Sequence, residues 1–126
     1  MDKEILVEKT RKALKQYFKN QEDFSLIMLV ADEPSEVDCK FSLLVSAPWL
    51  DERSPREGIE LIIKALRADL SDHEFSYVSS VHPINSADRF VKMINSAYHV
   101  RDRMVDITDS SVSGVYIGKG IIVEST

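Results

Sequence analysis

Six side chains in this 126-residue chain are of types that do chemistry and fall where loops should gather them: Trp49, Asp51, Arg53, His82, Asn85 and Asp109. Histidine, aspartate, asparagine and arginine can exchange protons with a substrate or orient it. Two helix starts are expected beside them, at Ser54-Pro55 and near Asn85-Ser86. Free backbone amides at such starts favour an anionic ligand or a carboxylate. Each residue also has a plainer use. Ser54 and Asn85 suit helix caps, Asp51 and Asp109 suit turns, and Trp49 suits a core or interface anchor. His82 before Pro83 can simply end a strand. The ligand-binding or enzymatic reading of this crevice therefore depends on three loops meeting: 49–54, 82–86 and 109–113.

Other constellations are weaker. His73, His82 and His99 fall in separate loops without paired ligand spacing, so no metal ligands and no cofactor are expected. Cys39 has no second cysteine to pair with and sits in an apolar strand pattern, as a buried thiol in a reducing compartment would. Gly118-Lys119-Gly120 lacks the length and the following helix of a phosphate loop. No serine elbow occurs. Asp106 to Ser110 lacks the glycine and distal glutamate of a calcium loop. No catalytic residue is assigned.

Asp32 ahead of Asp38-Cys39-Lys40, with Glu4 or Glu8 on a preceding helix, resembles the metal-binding core of the PD-(D/E)xK nucleases. The resemblance spans about forty residues and implies carboxylates holding a divalent cation while Lys40 supports an attacking water. The family core has three strands before its second long helix, and its first aspartate enters its own strand. Here two strands are expected there, and Asp32 lies in a polar turn. An acidic body without a basic groove also argues against nucleic acid as a partner.

The elements that would position these residues are more legible. A first helix is expected over 3–18, from the stripe Leu6, Thr10, Ala13, Leu14 and Tyr17. Residues 24–31 read as a strand apolar on both faces, hence central. Residues 37–47 alternate as a strand with one core face, antiparallel to the first. The strongest segment is Ser54-Pro55-Arg56-Glu57 followed by Ile59, Ile62, Ile63, Leu66 and Leu70, a capped amphipathic helix with Glu57 placed for a capping box. A strand over 75–81, a helix from about 85 to 98, a short strand over 104–108 and a strand over 115–123 complete the pattern. In the last strand Val115, Ile117, Lys119, Ile121 and Val123 should share one face, with Gly118 and Gly120 leaving bare backbone on the other.

The order α-β-β-α-β-α-β-β implies a single α+β domain over 1–126, with a mixed five-stranded sheet and three helices. Strand two, helix two and strand three should form a right-handed parallel crossover, and strand three, helix three and strand four a second.

Charge narrows the partner. Residues 1–19 carry six basic and three acidic side chains, a net +3, and the rest of the chain carries −8, for a total of −5. The basic helix is expected to lie against its own acidic body. No signal peptide or long apolar segment appears, so a cytoplasmic protein with no membrane contact is expected. The favoured function is a non-catalytic protein-interaction module of the adaptor, specialised chaperone or immunity type. A homodimer is expected, since strand one needs cover on both faces and the last strand should lie at a sheet edge. Val115, Tyr116, Ile117, Ile121 and Val123 are the candidate interface.

Overall fold

The computed structural model describes residues 2–126 as an α+β fold built on a mixed five-stranded sheet. Helix α1 (Lys3–Tyr17) leads into strands β1 (Leu26–Ala31) and β2 (Phe41–Ser46). The one-turn helix α2 (Pro48–Asp51) precedes the long helix α3 (Pro55–Asp69) and another single turn, α4 (Asp72–Phe75). Strand β3 (Val78–Pro83), helix α5 (Arg89–Ala97) and the hairpin β4 (Val105–Val112) and β5 (Val115–Ser125) follow. The three long helices and five strands keep the expected order; the two single-turn helices are additions.

The strands run β3-β2-β1-β5-β4 across the sheet. Only the β2–β3 pair is parallel, as a crossover through α3 requires. The second expected crossover does not form. Strands β3 and β4 lie at opposite edges, so the chain crosses the sheet from β3 by way of α5, and β4 pairs antiparallel with β5. Consequently β5 is not an edge strand; it lies between β1 and β4.

Both faces of β1 are covered within the chain. Ile27, Leu29 and Ala31 join a core under α1 and α3, which supply Leu6, Leu14, Ile62 and Leu66. Leu26 and Met28 join a second core under α5, with Phe90, Val91 and Ile94. The layer that a partner subunit was expected to provide is thus α5. The apolar run of β1 follows from burial on two sides, which is the pattern of a central strand.

Local chemistry sets the boundaries. Asp2 caps α1 by accepting the Glu4 amide at 2.8 Å, and Ser54 caps α3 by accepting the Glu57 amide at 3.2 Å. The full capping box forms one element later, at α4, where Ser71 and Glu74 satisfy each other's backbone amides. That box winds residues 72–75 into a helical turn and delays β3 to Val78, against the expected start at 75. Pro83 stays inside β3 because β3 is an edge strand, where a missing amide costs no ladder bond. Helix α5 starts later than expected, with Asp88 as its cap.

The hairpin β4–β5 departs from simple alternation. Ile117 packs under α5, whereas Ile121 and Val123 pack under α1 and α3. The expected common face of Val115, Ile117, Ile121 and Val123 is therefore wrong. Asp109, opposite Gly118 in the register, has φ 44°, and the side-chain alternation inverts there on both strands. Gly118 is needed at this point, because a Cβ would meet Pro34 Cγ at 2.9 Å. The hairpin closes through Ser113 and Gly114, both at positive φ, as a tight two-residue turn demands.

Candidate functional site

Helix α5 has only nine residues and does not cover the whole sheet: it packs over β1, β4 and β5 and leaves the β2–β3 end of its face open. The open end is a groove of about 430 Å³, within the usual range of ligand sites. Its floor is two cross-strand pairs, Val30–Ser42 and Leu44–His82, with Ser80 beside Ser42 in the register just outside the lining. One wall is Ile84 and Phe90 with Asp88, and the other is Val115, Tyr116 and Ile117 of the hairpin. Val115 is 50% and Tyr116 65% exposed, so this wall presents apolar surface to solvent.

A chain of hydrogen bonds borders the groove. Between Phe41 and Ser42 the β2–β3 register slips by one residue, and Ser79 is the extra residue of the bulge. Its hydroxyl reaches the Phe41 carbonyl at 3.1 Å and also the Asp32 carboxylate. Ser42 donates to Asp32 at 2.7 Å, Ser80 lies 3.0 Å from Ser42, and His82 Nε2 lies 2.8 Å from Ser80.

The direction of this chain follows from Asp32. A carboxylate only accepts, so the Ser42 proton points at Asp32. Ser42 must then accept from Ser80. Ser80 has spent its one proton, so His82 Nε2–H donates to Ser80. A histidine in that tautomer cannot deprotonate Ser80, so the pair lacks the polarity of an activated nucleophile. It can instead hold the imidazole ring in one orientation at the groove floor.

On the hairpin wall, Tyr116 donates its hydroxyl to Asp109 Oδ1 at 2.6 Å. That hydrogen bond, with the nearby charge of Asp109, holds the phenol pKa above its ordinary value. The same hydrogen bond fixes the ring along the groove wall.

The six loop residues do not converge. Asp51, Arg53 and Asn85 come together with Ser54 and Pro83 around a small cleft of about 230 Å³. There Asp51 accepts the Ser86 amide at 2.9 Å and also the Ser86 hydroxyl, and Asn85 accepts the Ala87 amide at 2.8 Å. These bonds tie the turn before α5 to α2. Trp49 is buried among Phe18 and Phe24, and its indole N–H donates to the Glu22 carbonyl at 3.0 Å. His82 points to the opposite side, into the α5 groove, and Asp109 sits in the far hairpin. Of the candidate interface, Val115, Tyr116 and Ile117 line the groove, while Ile121 and Val123 are in the core.

The carboxylates of the nuclease resemblance serve different partners. Asp32 serves the serines, and Asp38 accepts the Tyr77 hydroxyl at 2.9 Å. Among the described residues no three His, Cys, Asp or Glu side chains converge as metal ligands, and no helix is long and apolar enough to cross a membrane.

Sequence reasoning missed Asp32, Ser42 and Ser80 as members of one network. A signal was present: Ser42 and Leu44 share one face of β2, following Lys40 just before the strand, and such a face is too polar for full burial and too apolar for full exposure. The chain matches no family model, no curated protein and no solved structure.

Proposed function

We propose that this chain is a non-catalytic protein-binding module whose docking surface is the groove between α5, the β4–β5 hairpin and the β2–β3 end of the sheet. The observation that carries this reading is the groove's apolar lining on a face that α5 leaves half covered. Such a surface suits the insertion of a side chain from another protein. The Asp32-to-His82 chain supports a binding role over a hydrolytic one, because its polarity makes His82 a donor toward Ser80.

The test is selection of a random peptide library on the intact protein, with a Val115→Ser/Tyr116→Ser variant as counter-selection. Both residues are exposed on the hairpin, so the variant should fold, which circular dichroism checks. Peptides that bind the protein and lose the variant support the groove. Absence of any peptide sensitive to the hairpin overturns it.

A further inference from the structure

The groove carries information about its occupant in its charges. Among the described residues no lysine or arginine lines it. Asp88 lines it directly, and two more carboxylates stand one hydrogen bond behind the lining: Asp32 behind Ser42, and Asp109 behind Tyr116. Three lysines of the first helix are paired elsewhere, and Lys12 lines a different cleft. Lys3 pairs with Asp106, Lys9 with Glu74 and Lys15 with Glu124. Lys119 lines a different cleft, beside Lys3 and Leu6 of α1. Arg89 follows Asp88 but is exposed on α5 outside the lining. An apolar trough remains with one carboxylate in its lining and two behind it, in a body that carries −8 outside residues 1–19.

We infer that the partner is a basic segment of another protein, which seats an aliphatic or aromatic side chain in the groove and sets lysine or arginine beside it. This rests on the docking reading above. The apolar walls supply the burial, and Asp88 meets the flanking cation at the rim. The Tyr116 ring, its hydroxyl anchored on Asp109, offers that cation a π face as well. An acidic segment would bring like charge to Asp88, and like-charge juxtaposition rejects a partner.

Asp88 makes a clean probe of the charge. It caps α5 by accepting the Phe90 amide at 2.8 Å. Asparagine caps equally well, so Asp88→Asn removes the charge and keeps the helix start. The peptides selected above are sequenced, and the most enriched one is titrated calorimetrically against the protein and against Asp88→Asn, at low and raised salt. The expected result is a consensus of one large apolar residue flanked by Lys or Arg. Affinity should fall about two- to fivefold in Asp88→Asn, the scale of an exposed charge pair, and should weaken with salt in the wild type more than in the variant. Hairpin-sensitive peptides with neutral or acidic flanks, or affinity indifferent to both salt and Asp88→Asn, would overturn the basic partner and leave the groove reading standing. A selection that yields no hairpin-sensitive peptide would remove both. Self-association that occupies the groove would show as twice the 14.3 kDa chain mass in sedimentation, and would replace the basic segment with a second copy.

Discussion

Lys15 Nζ lies 3.0 Å from Glu124 Oε1, and the Glu124 side chain is only 2% exposed. A basic helix and an acidic sheet meet at that bond. One turn earlier, Arg11 inserts its guanidinium toward the Val123 carbonyl, with Nη2 at 3.0 Å, and also reaches the Arg103 carbonyl. Two of the positive charges of α1, Arg11 and Lys15, are thus spent on the protein's own final strand. Lys15→Met should cost about 1–3 kcal/mol, because it leaves a buried carboxylate without its cation. Adding Glu124→Gln should recover part of the loss. Urea unfolding at neutral pH measures both, and a loss below about 0.5 kcal/mol for Lys15→Met would mean that water reaches Glu124.

Ile62, on the inner face of α3, is fully buried in the core shared with β1 and β2. Ile62→Ala should destabilise the fold by about 2–5 kcal/mol, as deletion of a core aliphatic group does. Met93→Ala on the exposed side of α5 is the control and should stay within about 0.5 kcal/mol of wild type. Similar losses at both positions would contradict the layer order.

These layers were readable because periodicity reports burial directly. The cap at Ser54 and the stripe through Ile62 and Leu66 define a helix and its buried face, and the two-sided apolar run of β1 defines a central strand. What periodicity does not carry is strand order. Nothing between Ile84 and Val105 says that the chain crosses to the far edge, so the sequence pairs β4 with β3 and draws the loop crevice around a contact that does not exist. A single left-handed residue, Asp109, inverted the reading of the last hairpin and sent Ile121 and Val123 into the core. The groove was illegible for a related reason. Its lining comes from β1, β2, β3, α5 and β5, and only the topology brings them together.

The capping box at α4 should be visible in the acid limb of stability. The Ser71 backbone amide donates to the Glu74 carboxylate at 2.8 Å and lowers its pKa below the ordinary value, with smaller help from Lys9. A depressed folded-state pKa means that the unfolded chain takes up the proton first as pH falls. The stabilisation is therefore complete above the ordinary glutamate range and is lost as pH drops through the folded value. Glu74→Gln keeps the box but cannot titrate. Thermal unfolding from neutral to acid pH should show a shallower decline for Glu74→Gln than for wild type. Parallel curves would mean that the hydrogen bond does not persist in solution.

The polarity of the groove's hydrogen-bond chain makes the most direct prediction about chemistry. With Asp32 accepting from Ser42, and Ser42 from Ser80, neutral His82 must carry its proton on Nε2. Nitrogen-15 shifts of the imidazole, measured above its titration range, distinguish the tautomers. The His82 signals are assigned against His82→Gln, which separates them from His73 and His99. The expected spectrum shows Nε2 protonated and Nδ1 bare. Asp32→Asn should weaken that preference, since an amide can donate toward Ser42 and release the direction of the chain. The opposite tautomer in the wild type would make Ser80 the donor and His82 its base. Ser80 would then have the polarity of a nucleophile, and the non-catalytic reading of the groove would fall with it.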